Sequence, residues 1–454
     1  MNMRELERLR PLMKELPADI RAAQVQAEKR EILSFEIQDG AVKGAEYSSV
    51  TELFVSAGGG FYYTQKLEED PEEMLAKAAG LARYSNSGGA GPMVKGSRLK
   101  TDCGQIPKTE ELKAAAAALE KAIREGIPGS KPALRMTRTK ETRGLINSLD
   151  TDICCENIRL EAELEMAETD GEIPCFLNCG FSARSLKELT AKPFLRRIRQ
   201  WRENRLPSGT LDAGRYRTLL DGEVVTNILA TAWQMFTGAN YRNGATPYAG
   251  DLSCGAADGK QVFSPCLTIE DLPFMERSGY GCAVDCEGTP ACALTVAFEG
   301  RLTGLLHTLE TASEMGQTPC GCAGRKALLS GNIHTQIQAI PRNFCIRPGK
   351  CTEKELLDEL QDGIYVFESY DVFHSINIAS GEFHIPCKAI LVENGQKKRS
   401  AEGITINGNL KELFAHVTAC GNGLFVRPMD LLKSYAVAAP SLLVSEIAFT
   451  GSQG

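Results

Sequence analysis

Hydrophobic positions recur along this chain with two periods, about 3.6 and about 2 residues, and the switches between them mark its elements. The opening MNMRELERLRPLMKELP sets Leu and Met at helical spacing. Residues 22–67 then run in short alternating stretches broken at Asp39-Gly40 and at Gly58-Gly59-Gly60, which predicts an antiparallel meander. A helix follows in DPEEMLAKAAGLARY, with Asp70 as N-cap, Pro71 in the first helical position and acidic residues in the first turn. SNSGGAGPMVKGS, residues 85–97, reads as a linker or long loop.

TEELKAAAAALEKAIREGIPG predicts a second helix, rich in strong helix formers and stopped at Gly126 and Pro128. Residues 131–190 return to the strand pattern. In FLRRIRQWRENRLP, Phe194, Leu195, Ile198 and Trp201 share one helical face and Arg196, Arg197, Arg199, Arg202 and Arg205 the other. That predicts a solvated amphipathic helix rather than a nucleic-acid patch. From Gly209 onward, short strands punctuated by glycine carry three clear helices. One is GEVVTNILATAWQMFTG, ending at Gly238; another is TEKELLDELQDG, with Thr352 and Glu355 as a capping box and Gly363 as its stop. The third begins at Asn409 in NLKELF.

Helices dispersed among strands predict an α+β fold rather than alternating βαβ units. The expected organisation is an N-terminal mixed sheet and helix region, then a large β-rich C-terminal domain, with boundaries at 1–97, 98–208 and 209–454.

Composition narrows the function classes. A formal charge of −7 argues against a general nucleic-acid binder. No apolar run approaches the roughly 20 residues of a membrane helix. The first residues have no apolar h-region, so a cytoplasmic protein is expected. Sixteen cysteines diluted through 454 residues favour reduced thiols. No CxxC occurs; Cys154-Cys155, Cys175 with Cys179, Cys282 with Cys286, and Cys320 with Cys322 are looser pairs, better read as small apolar side chains than as metal knuckles.

Candidate chemistry is sparse. Neither a phosphate-binding glycine loop between strand and helix nor a GxSxG elbow is present. FHSINIASGEFH, residues 373–384, offers His374, Glu382 and His384, a set that a catalytic zinc could use. Ten-residue His spacing matches no short zinc motif, and the stretch reads better as a hairpin turning at Ser380-Gly381. The first histidine in the chain is His307, so no zinc-protease helix precedes it. His307 has Glu310 on the same helical face but no second histidine, and His334 lacks a nearby carboxylate-His pattern; a surface or capping role is expected for His307. His416 and Cys420 would face one another on a helix, but no orienting third group accompanies them.

The C-terminal third carries a series that resembles a known family: VDCEGTP (284–290), LLHTLETASEMGQTPCGCAGR (305–325), SINIASGEFHIP (375–386), AILVENGQ, GITINGNLKELF and APSLLVSEIAFTG. In order and spacing it resembles the TldD/PmbA family, also called TldD/TldE and formerly known as modulator of DNA gyrase. The resemblance implies a strand-turn-strand at SGEF and a long helix ending in the Gly-Arg segment at Arg325. TldD-type subunits carry HExxxH early in this domain and a cysteine near the C-terminus. Here GEVVTNILATAW stands at that helix, with Ala230 and Thr231 about where the His-Glu pair would fall, and SYAVAAPSLLV has no cysteine. The chain thus resembles the PmbA (TldE) type.

The resemblance implies a subunit of a cytoplasmic metallopeptidase acting on unfolded or short peptides, with zinc on a TldD-type partner and no cofactor on this chain. Asp285, Glu287, Arg325 and Asn409, polar residues inside the motifs, are the expected peptide-lining positions; turn or capping roles are equally open to them. An independent hydrolase with an atypical Cys/His metal or thiol site, and a peptide-binding homo-oligomer or homodimer, are the competing expectations. No nucleic-acid or membrane partner is expected.

Overall fold

The computed structural model describes residues 4–84, 92–170, 173–252, 260–325, 337–429 and 435–451; residues 85–91 of the expected linker and His334 lie outside that set. The fold is α+β and divides into two compact units. Unit 1 comprises Met1–Leu195, Pro273–Cys292 and His307–Ile340; unit 2 comprises Arg196–Leu272, Ala293–Leu306 and Pro341–Gly454.

Unit 1 is built on a seven-stranded sheet of β1 (Ala23–Gln38), β2 (Ala41–Ala57), β3 (Gly60–Thr64), β4 (Arg98–Thr101), β5 (Ala133–Asn147), β6 (Asp152–Asp170) and β7 (Ile173–Ala183). The order is β3-β2-β1-β5-β6-β4, with β7 also paired to β6. Residues 1–97 and 98–208 therefore both contribute strands to it. Asp39 and Gly40 link β1 to β2 with φ of 52° and 73°, the positive pair that a two-residue type I′ hairpin requires.

Strand alternation gives this sheet two different faces. Val25, Ala27, Leu53 and Val55 point into a core with Met74, Leu75 and Ala78 of helix Pro71–Leu81. Asp70 caps that helix, accepting from the Glu72 and Glu73 amides at 3.0 Å each. Gly60 lets the helix settle: a Cβ there would lie 1.9 Å from the Ala78 carbonyl oxygen. Leu6, Leu9 and Met13 join the same core. Leu6 and Met13 do so from two short helices, Arg4–Glu7 and Arg10–Lys14, rather than one, with Leu9 just before the second; Pro11, lacking an N–H, fits the start of that helix and not the interior of a continuous one. The opposite face is polar, with Glu28 across from Arg143 and Arg30 across from Glu141.

In unit 2, one sheet runs in the order Gln396–Asn409, Glu382–Glu393, Gly363–Ser369, Gly214–Leu220, Leu442–Phe449 and Val417–Cys420. Its first strand also pairs with Leu442–Phe449, at Ile406↔Phe449 and Asn407↔Ala448, which closes a circuit of five strands. A second sheet takes in Leu294–Phe298, Ile269–Asp271, Asn343–Ile346 and Ala436–Ala439. Phe236, Tyr248, Phe263, Phe344 and Phe414 form a ring cluster with centroids 5.1–6.2 Å apart, a large apolar payload in one place.

The expected capping box is present: the Thr352 hydroxyl accepts from the Glu355 amide at 3.2 Å, and the Glu355 carboxylate accepts from the Thr352 amide at 2.7 Å. Two helix ends differ from expectation. Helix Glu353–Leu360 stops at Gln361, with φ 56°, and Gly363 opens the next strand. Helix Gly222–Ala232 tightens into a 3₁₀ turn at Trp233–Phe236, and Gly238 starts a further short helix. The helix within 305–325 is also short, Leu309–Met315, closed by Gly316 in the left-handed conformation; Arg325 lies on the strand Ala323–Arg325.

Candidate functional site

The VDCEGTP motif folds into a tight turn because one carboxylate gathers its amides. Asp285 Oδ1 accepts from the Glu287 and Thr289 amides at 2.9 Å each, and Oδ2 accepts from the Ala323 amide at 3.0 Å. Asp285 is 2% exposed and so ties the turn to the strand bearing Arg325. Glu287, also buried, accepts from the Leu309 amide at 2.7 Å, at the first residue of helix Leu309–Met315. Arg325 stacks over Phe54 and Phe61, at 5.0 and 4.7 Å from the ring centroids. These three motif residues therefore come together in unit 1. Asn409 belongs to unit 2, where its Oδ1 accepts from the Lys411 amide at 2.9 Å and its Nδ2 donates to the Ser380 carbonyl at 2.8 Å. Of the roles open in the sequence, the geometry shows turn-holding for Asp285 and helix capping for Asn409.

His307 is not at the surface as expected. It is 3% exposed, with Nδ1 3.2 Å from Thr311 Oγ1, just before the Thr308 cap of helix Leu309–Met315. Burial lowers its pKa to about 4. Burial likewise pushes the Glu287 carboxyl up to about 8, with the Asp285 charge adding to the shift and the Leu309 amide and Arg325 opposing it.

The two shifts bracket a stability optimum. Glu287 binds its proton more tightly folded than unfolded, so its contribution is present below about pH 4.5 and is lost as pH rises through about 8. His307 resists protonation when folded, so its contribution is present above about pH 6.5 and is lost as pH falls through about 4. Glu287→Gln keeps an acceptor for Leu309 and removes the ionisation. Denaturant titrations of the two proteins at about pH 5 and about pH 9 are expected to show the substitution abolishing an alkaline loss on the order of 3–5 kcal/mol.

FHSINIASGEFH is a hairpin. Ile376 bridges Phe383, and the Gly381 amide donates to the Asn377 carbonyl at 2.8 Å. His384 Nδ1 lies 2.8 Å from Asn407 Oδ1 on the neighbouring strand, and His374 pairs with Asp371. Among the described residues, no group of three His, Cys, Asp or Glu side chains is disposed to hold a metal ion.

His416 and Cys420 do not share a helix. His416 ends helix Leu410–Ala415, and Cys420 lies on the strand Val417–Cys420. Cys420 instead meets Cys266, 154 positions away, donating toward the Cys266 carbonyl at 3.6 Å. Cys266 is exposed and has the Ser264 hydroxyl 2.9 Å from its sulfur. Hydrogen bonding with Cys420, then with that hydroxyl, lowers the Cys266 pKa. Iodoacetamide at about pH 7 is therefore expected to label Cys266 about tenfold faster than the exposed Cys292, as read by peptide mass mapping; Cys420→Ala is expected to remove most of that advantage. No local signal in the sequence marks this pair.

Helix Gly222–Ala232 is capped by Asp221, whose carboxylate accepts from the Glu223 amide at 2.9 Å and from Tyr365 and Gln200 at 2.6 and 2.8 Å. Val224, Val225, Ile228, Leu229, Ala230 and Thr231 on it are all buried. Ala230 and Thr231, compared above with the His-Glu region of TldD-type chains, are thus packed in the interior.

The chain is α+β, and helix Gly222–Ala232 of its second unit is buried. Residues 213–451 match the PmbA/TldA metallopeptidase C-terminal domain, more than half of the chain. The chain belongs to the PmbA/TldD family. It is 27% identical over 169 residues to the metalloprotease PmbA of Escherichia coli O157:H7, a stretch covering 37% of this chain and 34% of that protein. The matched stretches span about a third of the length of the curated relatives. Two solved structures share the fold over nearly all of both chains. TldE of Thermococcus kodakarensis has a TM-score of 0.79 at 18% identity, covering 98% of this chain and 100% of that one. A candidate modulator of a DNA gyrase from Thermotoga maritima MSB8 has a TM-score of 0.78 at 22% identity, covering 98% and 99%. No helix among the described residues is long and apolar enough to cross a membrane.

Proposed function

We propose that this chain is the PmbA/TldE-type, metal-free subunit of a cytoplasmic TldD/TldE-type metallopeptidase that acts on unfolded or short peptides. Helix Gly222–Ala232 carries the reading: where the zinc-bearing type has His-Glu, this chain buries Ala230 and Thr231 among aliphatic neighbours. Alanine and threonine supply none of the imidazole, thiolate or carboxylate donors that zinc sites use, so the residues do not fit the metal. A TldD-type partner would supply it. In this reading Asp285 and Glu287 fix a turn and a helix start beside Arg325 on a peptide-facing surface of unit 1, and Asn409 caps a helix on a separate one of unit 2.

The test is cleavage of an unstructured peptide by the purified chain, alone and mixed with a TldD-type zinc subunit. Cleavage by the mixture only, abolished by a strong chelator, is expected. Cleavage by the chain alone that survives the chelator overturns the reading and favours an independent thiol site, for which Cys266 is the motivating observation.

A further inference from the structure

A cavity of about 270 Å³ opens on the polar face of the unit 1 sheet, walled by β1, β2, β5 and β6 and by the segment around Phe274 and residues 281–284. Most charges lining it are neutralised by near neighbours. Arg143 meets Glu28 at 2.9 Å, Arg30 meets Glu141 at 3.3 Å, and Glu156 meets Lys140 at 2.9 Å.

Three lining groups stand apart. Arg184 has no carboxylate partner among the described residues; its guanidinium lies 4.2 Å from the centroid of the Phe274 ring, and its Nε is buried without an acceptor. Among the described residues Glu52 has only neutral partners, the Tyr63 hydroxyl at 2.7 Å and Gln65 Nε2 at 3.3 Å. Asp102, also lining the cavity, has no cation partner among the described residues; its Oδ1 accepts from the Gly104 amide at 3.0 Å.

We infer that this cavity binds a small zwitterion of the amino-acid or dipeptide type, its carboxylate on Arg184 and its ammonium on Glu52. The apolar face of Phe274 suits a hydrophobic side chain. The volume lies just below the roughly 300–1,000 Å³ of common ligand pockets, which suits one or two residues and not an extended polypeptide. The assignment goes beyond the peptidase reading and needs neither metal nor partner subunit.

Calorimetric titration of the full chain alone with alanyl-leucine, N-acetyl-alanyl-leucine and alanyl-leucinamide tests it. Saturable binding of the free dipeptide is expected, weakened at least about tenfold by either cap. Arg184→Gln is expected to erase the preference for the acid over the amide, and Glu52→Gln the preference for the free amine over the acetyl form. No saturable heat with the dipeptide or with leucine, or equal binding of capped and free forms, overturns the assignment. If a variant fails to fold, the capping series on the unaltered chain still decides.

Discussion

Asp285→Ala is expected to destabilise unit 1 by about 3–6 kcal/mol, because it strands three amides that the carboxylate now satisfies. Each buried amide left without an acceptor costs about 1–3 kcal/mol, and the turn and its link to Ala323 fail together. Asp285→Asn keeps one oxygen but turns an NH₂ toward an N–H donor, so about half the loss is expected to remain. Both tryptophans lie in unit 2, so denaturation followed by far-UV circular dichroism is the appropriate readout for this sheet. A midpoint unchanged by Asp285→Ala would mean that the motif carboxylate is free for some other task.

The second large effect lies in unit 2. Asp271 is fully buried and accepts from the Arg342 and Asn343 amides at 2.7 and 2.9 Å, while the Arg342 guanidinium, also buried, approaches at 3.2 Å. Burial raises the Asp271 pKa, and Arg342 and the two amides oppose it. Asp271→Ala leaves a buried cation without this counter-charge and two amides without an acceptor, a loss of about 3–5 kcal/mol or more. Asp271→Asn keeps an oxygen for the amides and is expected to lose less. Trp201 and Trp233 report unit 2 directly, so the shift is read from tryptophan emission against denaturant.

What the sequence made legible is what a few neighbouring residues decide. The Asp39-Gly40 hairpin, the Asp70 cap, the Thr352–Glu355 box and the turn before Glu382 each depend on side chains within about four positions of the amides they serve. What it hid depends on partners far along the chain. Cys266 meets Cys420 across 154 positions, and Asp271 meets Arg342 across 71. A surface or capping role is expected for His307 because no second histidine accompanies it, and nothing local shows that the residue before the Thr308 cap is buried. The cavity at Arg184 has no sequence signal at all: its cation is distinguished only by which of its neighbours are already paired.

In the proposed reading this chain carries no zinc of its own. Elemental analysis of the purified chain, prepared without added metal and without any partner, is expected to find zinc well below one per chain. One tightly held zinc per chain would contradict it, for cysteine and histidine outside helix Gly222–Ala232 would then have built a site of their own.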